Sequence, residues 1–148
     1  MGVEYGAMSY QKLDQTNRRQ LAEALRNDTW VVACLCAAWC GSCREYDAAF
    51  SAWAARYPQH HFVWIDIEDQ ADLIGDLDID NFPTLLIERG ATVAFFGPME
   101  PDTRLAERIL LSQLEKSDGE LQREAIGSEE RRAWQEQCSL LDKLADVI

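Results

Sequence analysis

The hydrophobic pattern changes period at one place, and an element lies on either side of the change. From Thr29 to Ala37 the chain is apolar and rich in β-formers, as in a central strand covered on both faces. From Cys40 the period turns helical. Tyr46, Phe50, Trp53 and Tyr57 recur at spacings of four, three and four, and Pro58 ends the run. Such an aromatic stripe belongs to a core rather than to a binding surface.

Other elements follow from the same reading. Ser9 to Leu13 predicts a short first strand, and Asp14 or Thr16 caps a helix to about Arg26 with Leu21, Ala22 and Leu25 inward. Phe62 to Ile67 predicts a strand, and Gln70 to Leu77 a short helix weakened by Gly75. Leu85–Glu88 and Thr92–Phe96 flank a turn at Arg89-Gly90, as in a hairpin. Pro101-Asp102 opens a helix whose inner face holds Leu105, Ile109, Leu110 and Leu114.

The order βαβαβαββα implies an α/β three-layer fold over about residues 8–116, a mixed β-sheet flanked by helices. Residues 1–7 read as a loose leader and 117–127 as a polar connector with one helical turn around Leu121 to Ile126. An extra C-terminal amphipathic helix is expected over 128–148, with Trp134, Cys138, Leu141, Ala145 and Ile148 on one seam. It is expected to dock on its own domain; a homodimer or a partner contact is the alternative.

Charge narrows the partners. A formal net charge of −12 argues against nucleic acid and against anionic membrane surfaces, because both need basic stripes. The longest apolar run is too short to span a bilayer. Met1 to Gly6 lacks the basic and apolar regions of a secretory signal, so a reducing, cytoplasmic setting is expected. In that setting the five cysteines read as redox-active or buried thiols rather than a structural disulfide framework.

Four of the five stand close together: Cys34, Cys36, Cys40 and Cys43. The Cys40-Gly41-Ser42-Cys43 spacing lets two sulfurs meet across one helical turn. The thiolate is the reactive form of cysteine, and a helix N-terminus favours it. Reversible dithiol–disulfide chemistry is the reading that results. A metal or iron–sulfur site using Cys34 to Cys43 is a weaker alternative, since closed sites usually draw ligand pairs from separate segments.

The chain resembles the thioredoxin family. Trp39-Cys40-Gly41-Ser42-Cys43 is similar to that family's Trp-Cys-Gly-Pro-Cys site, with Ser42 in place of proline. Ile79-Asp80-Asn81-Phe82-Pro83-Thr84-Leu85 is similar to its cis-proline segment, and Gly90 and Gly97-Pro98 fall near its later glycines. The resemblance implies a thioredoxin-like fold and a protein-disulfide oxidoreductase, with Cys40 as nucleophile and Cys43 as resolving thiol. Trp39, Gly41 and Ser42 would form the active-site loop; Phe82, Pro83, Thr84 and Gly97 would bind substrate. It implies no cofactor beyond a redox-active Cys40–Cys43 disulfide. The implied partners are disulfide-containing protein substrates and a thioredoxin-reductase-like or other thiol recycling partner. A binding or adaptor module with little redox turnover is the alternative.

Two departures matter. The family's buried Asp, six residues before the first cysteine, is Cys34 here, and the lysine that pairs with it is replaced by Trp64. The resolving thiol would then lack its usual base, which implies slower turnover. Ser42 in place of proline should make the couple more oxidising than the roughly −270 mV typical of thioredoxin. Elsewhere, His60-His61 reads as an exposed pair. The acidic stretch of Asp66, Glu68, Asp69, Asp72, Asp76, Asp78 and Asp80 reads as a solvated face, and Cys138 as a buried thiol.

Overall fold

The fold was obtained as a computed structural model, which describes residues 10–37, 40–75, 77, 79, 82–99 and 102–147. The leader at 1–7, Trp39, Asp76, Asp78, Asp80 and Ile148 lie outside the described residues. β1 (Tyr10–Lys12), α1 (Arg18–Arg26), β2 (Trp30–Cys36), α2 (Gly41–Ala55), β3 (His61–Asp66) and α3 (Ala71–Ile74) make the first half. β4 (Thr84–Arg89), β5 (Thr92–Pro98), α4 (Thr103–Leu114), α5 (Asp118–Ala125), α6 (Glu129–Gln137) and α7 (Leu140–Ala145) make the second.

The strands form one sheet in the order β1-β3-β2-β4-β5. β3 runs parallel to β1 and β2, while β4 is antiparallel to β2 and β5. β2 is central, and every one of its residues is buried, as its unbroken apolar run requires. Val31, Ala33 and Leu35 face one core with Leu21, Leu25, Leu140 and Leu144. Val32, Cys34 and Cys36 face the other, beneath Tyr46, Phe50 and Trp53 of α2. Helices thus cover both faces.

Local signals explain several boundaries. Asp14 accepts hydrogen bonds from the N–H groups of Thr16 (2.8 Å) and Asn17 (3.0 Å), turning the chain into α1. Gly75 takes a positive φ of 52° and cuts α3 to four residues, shorter than the expected Gln70–Leu77. Gly90, at φ 60°, sits in the β4–β5 turn, where a Cβ would come within 2.8 Å of Asp28 Oδ1. Arg18, almost fully buried, donates to Gln70 and makes a two-pronged contact with Asp72. Glu68, Asp69 and Asp72 stay exposed, as a solvated face requires, although Asp72 also pairs with the buried Arg18. Asp66 likewise accepts from the N–H groups of Glu68 and Asp69, closing a turn.

The C-terminal expectations need correction in detail. The expected turn at Leu121–Ile126 is a full helix over 118–125, lengthened at its start by the Ser117–Glu120 capping box. The last helix is two helices. The chain leaves α6 at Cys138, and Ser139 caps α7 by accepting from the Asp142 N–H. The break moves the buried seam by one residue, from Leu141 and Ala145 to Leu140 and Leu144. α7 packs on α1 and α6 on β5, so these helices dock on their own domain.

Glu88 holds that docking. It is fully buried on β4, and its carboxylate accepts from Leu140 N (2.7 Å), Leu141 N (3.2 Å) and Ser139 Oγ (3.0 Å). Burial pushes its pKa up to about 7, against the opposing pull of these donors. A carboxyl raised in the folded state stabilises fully below its ordinary value near 4.5 and loses that contribution as pH rises through 7. Relative to wild type, Glu88→Gln should therefore gain about 2.5 kcal/mol of stability between pH 5 and pH 8. Urea titrations of both proteins at the two pH values measure it; a difference that does not change with pH would refute the assignment.

Candidate active site

Cys40 is the N-cap residue of α2, with extended backbone angles (φ −85°, ψ 119°). Its N–H donates to Ala37 O (3.0 Å), which turns the chain tightly from β2 into the helix. Its thiol is free and half-buried. Gly41 and Ser42 are exposed in the first turn, and Cys43, one turn further, is buried. Trp39 lies outside the described residues.

The bonded partner of Cys43 is a correction. The disulfide joins Cys36 to Cys43, not Cys40 to Cys43. The physical reason is direction. Cys43 points inward to the sheet, where Cys36 ends β2 on the same face, with the two Cα atoms 5.8 Å apart, an ordinary disulfide span. Cys34, two residues earlier on that face, places its Sγ 3.6 Å from that of Cys36. Two of the four clustered sulfurs are therefore spent on each other. Among the described residues no three His, Cys, Asp or Glu side chains converge as metal ligands.

Cys34 pairs in register with Trp64 of β3, so the two departures noted in the sequence face each other across the sheet. Burial raises the Cys34 thiol well above its ordinary range, and the negative charge of Asp47 adds to the effect. Asp47 is a residue that sequence reasoning missed. It lies four positions after Cys43, hence on the same helix face, and that spacing was the available signal. It accepts from Tyr10 Oη at 2.6 Å and pairs with Lys12 Nζ at 3.2 Å. Burial, then the Asp47 hydrogen bond, raise the Tyr10 phenol. Cys43 and Asp47 share a cavity of about 450 Å³ with Lys12, Trp64, Asp66 and Asp69.

The expected substrate residues divide into two groups. The Phe82–Pro83 peptide bond is cis, and Met99 N donates to Pro83 O at 2.9 Å. Cys40, Phe82 and Met99 all pack against the apolar cluster that contains Cys36 and Cys43. Thr84 and Gly97 instead line a separate cavity of about 320 Å³, walled by Glu130, Trp134 and Gln137 of α6. The histidines lie elsewhere, at the start of β3. His61 is buried rather than exposed, and burial lowers its pKa. His60 is half-buried and stacks on Tyr57.

The thioredoxin family model matches residues 12–110, two-thirds of the chain. The chain belongs to the thioredoxin family. It is 25% identical to a putative thioredoxin 2 of Streptomyces coelicolor over 120 residues, which cover 80% of this chain and 88% of that one. It is 28% identical to thioredoxin-2 of Pyricularia oryzae over 72 residues, 49% of this chain and 42% of that one. The chain spans half the length or less of the Pyricularia and rice thioredoxins it matches. A poplar thioredoxin h structure superposes with a TM-score of 0.65 at 20% identity, covering 74% of this chain and 99% of that one. That likeness establishes the thioredoxin-like fold.

The thiols differ sharply in access. Cys34 and Cys138 are buried, and burial raises Cys138 to about 11. In native protein at pH 8, iodoacetamide should modify Cys40 at least tenfold faster than Cys34 or Cys138, which react only on unfolding. Mass-spectrometric labelling kinetics check this; prompt labelling of Cys34 in folded protein would contradict it.

Proposed function

We propose that this protein is a thiol–disulfide oxidoreductase acting on protein disulfides. The observation that carries the reading is a free, half-buried Cys40 at the α2 N-cap, one turn ahead of an inward-facing Cys43. In the reduced protein the Cys40 thiolate attacks a substrate disulfide, forming a mixed disulfide and releasing one substrate thiolate. Cys43 then attacks Cys40 Sγ, releasing the second substrate thiolate and leaving Cys40–Cys43 oxidised. Phe82 and Pro83 are the groove residues beside Cys40 in this reading, with the Phe82 main chain pairing to an extended substrate segment, while Thr84 and Gly97 would meet substrate only through the separate cavity against α6. Gly41 and Ser42, exposed in the first turn of α2, flank the sulfur. A thioredoxin-reductase-like or other dithiol partner would return the electrons.

Cys43 needs a proton acceptor, and Cys34 stands where the family's carboxylate would be. Asp47, one helical turn from Cys43, lines the cavity beside it together with Asp66 and Asp69, and that cavity is roomy enough for bridging water. The adaptor alternative rests on the acidic surface, the missing buried Asp and the added C-terminal helix; of these, the helices α6 and α7 are packed on their own domain.

Three variants test the reading. With dithiothreitol as electron donor, wild type should accelerate insulin reduction, and Cys40→Ser should lose at least a hundredfold of that rate. Cys43→Ser should accumulate a mixed disulfide with insulin, visible as a shifted band on non-reducing gels. Asp47→Asn should slow release from the mixed disulfide by about tenfold. An unaltered rate in Cys40→Ser would sink the proposal.

A further inference from the structure

Three sulfurs line up inward from the helix N-terminus. Cys43 is bonded to Cys36, and Cys34 Sγ lies 3.6 Å beyond Cys36 Sγ. Both bonded cysteines are 1% exposed, while Cys40 keeps a free, half-buried thiol. An oxidised pair is thus stored beneath the site, and the outermost sulfur is left reduced.

We propose that Cys36 is a third redox cysteine, which takes over Cys43 from Cys40 and returns the oxidised protein to a state with a free nucleophile. The proposal rests on the thiol–disulfide reading of Cys40 and Cys43. The step is an internal exchange. The Cys36 thiolate attacks Cys43 Sγ, the Cys36–Cys43 bond forms, and the Cys40–Cys43 bond breaks. Its electron pair leaves with Cys40 as thiolate. Cys36 gives up one proton and Cys40 takes one up, so no oxidant or reductant enters.

Geometry favours this direction. Cys36 is anchored in the central strand, paired with Asp66 on β3, so its sulfur is held in place at the base of α2. The Cys36–Cys43 span needs no movement of helix or strand. Cys34 contributes as a neighbour. Once Cys36 is bonded it carries no proton, so the 3.6 Å contact is a donation from the Cys34 S–H to Cys36 sulfur. Burial keeps Cys34 protonated and thus a donor. The same donation would steady a Cys36 thiolate before attack.

The consequence is chemical. A protein holding Cys36–Cys43 can still attack a disulfide through Cys40, but Cys43 cannot resolve the product. It then acts as a monothiol, and a glutathione adduct on Cys40 would persist until a dithiol reduces the inner pair.

The experiment maps the bonds. Fully reduced wild type is oxidised with glutathione disulfide, blocked natively with N-ethylmaleimide and digested without reductant by chymotrypsin. Cleavage after Leu35 and Trp39 separates the Cys36 peptide from the one carrying Cys40 and Cys43. The expected product is a Cys36–Cys43 cross-link at least tenfold over Cys40–Cys43, with Cys40 carrying maleimide or glutathione. At early quench times Cys40–Cys43 should come first. In Cys36→Ser the bond should stay at Cys40–Cys43, with Cys40 labelling falling at least tenfold. If that variant misfolds, the wild-type map decides alone. A dominant Cys40–Cys43 bond in wild type overturns the proposal, and insulin reduction in the same sample then leaves the oxidoreductase reading standing. The inner cross-link without insulin reduction supports the exchange and removes that reading.

Discussion

The docking of Phe50 on the sheet sets the geometry of everything near the cysteines. Its ring meets Trp53, Phe62, Trp64 and Tyr10 edge-on at centroid distances of 5.6–6.0 Å, an arrangement that aromatic quadrupoles favour. Those contacts come from α2, β3 and β1, so one side chain fixes the roll of the helix over the strands. A helix is stiff, and fixing its middle therefore fixes its first turn. Only a short connection separates the end of β2 from the start of α2. Cys40 consequently lands at the rim, and Cys43 is turned down toward Cys36.

The same docking decides which polar groups reach the site. With Cys34 and Trp64 facing each other, that position of the sheet beneath α2 carries no charged pair. Carboxylates are displaced outward instead. Asp47 is held by Tyr10 and Lys12 at the mouth of a cavity, where solvent supports its charge. Glu88 is buried on the other side of the sheet and is tolerated because three donors from the start of α7 converge on it. One carboxylate lines the cavity beside Cys43. The other ties the C-terminal helices to the domain, so that α6 walls the cavity beside Thr84 and Gly97.

The element order, the mixed sheet and the position of Cys40 at a helix start were legible because each rests on local period or spacing. Val31 to Cys36 could only be a central strand, and the stripe from Tyr46 to Trp53 could only be a buried helix face. Capping chemistry is legible too, and the Ser117–Glu120 box lengthens the turn expected at Leu121–Ile126. The break at Cys138-Ser139 was not legible. Ser139 leaves the helix to reach Glu88, fifty-one residues away in the chain, and no local pattern announces that bond. His61 is a similar case, since its burial depends on a neighbouring strand rather than on its own flanks.

For the cysteines the division is sharper. Sequence alone determined that Cys40 and Cys43 share one helical turn, and that Cys34 and Cys36 share one strand face. Both facts follow from backbone periodicity. Which sulfurs meet was decided only by the tertiary structure, because it depends on the angle at which α2 crosses the end of β2. That angle comes from aromatic packing a full two turns along the helix, and it turns Cys43 toward Cys36 while leaving Cys40 unbonded.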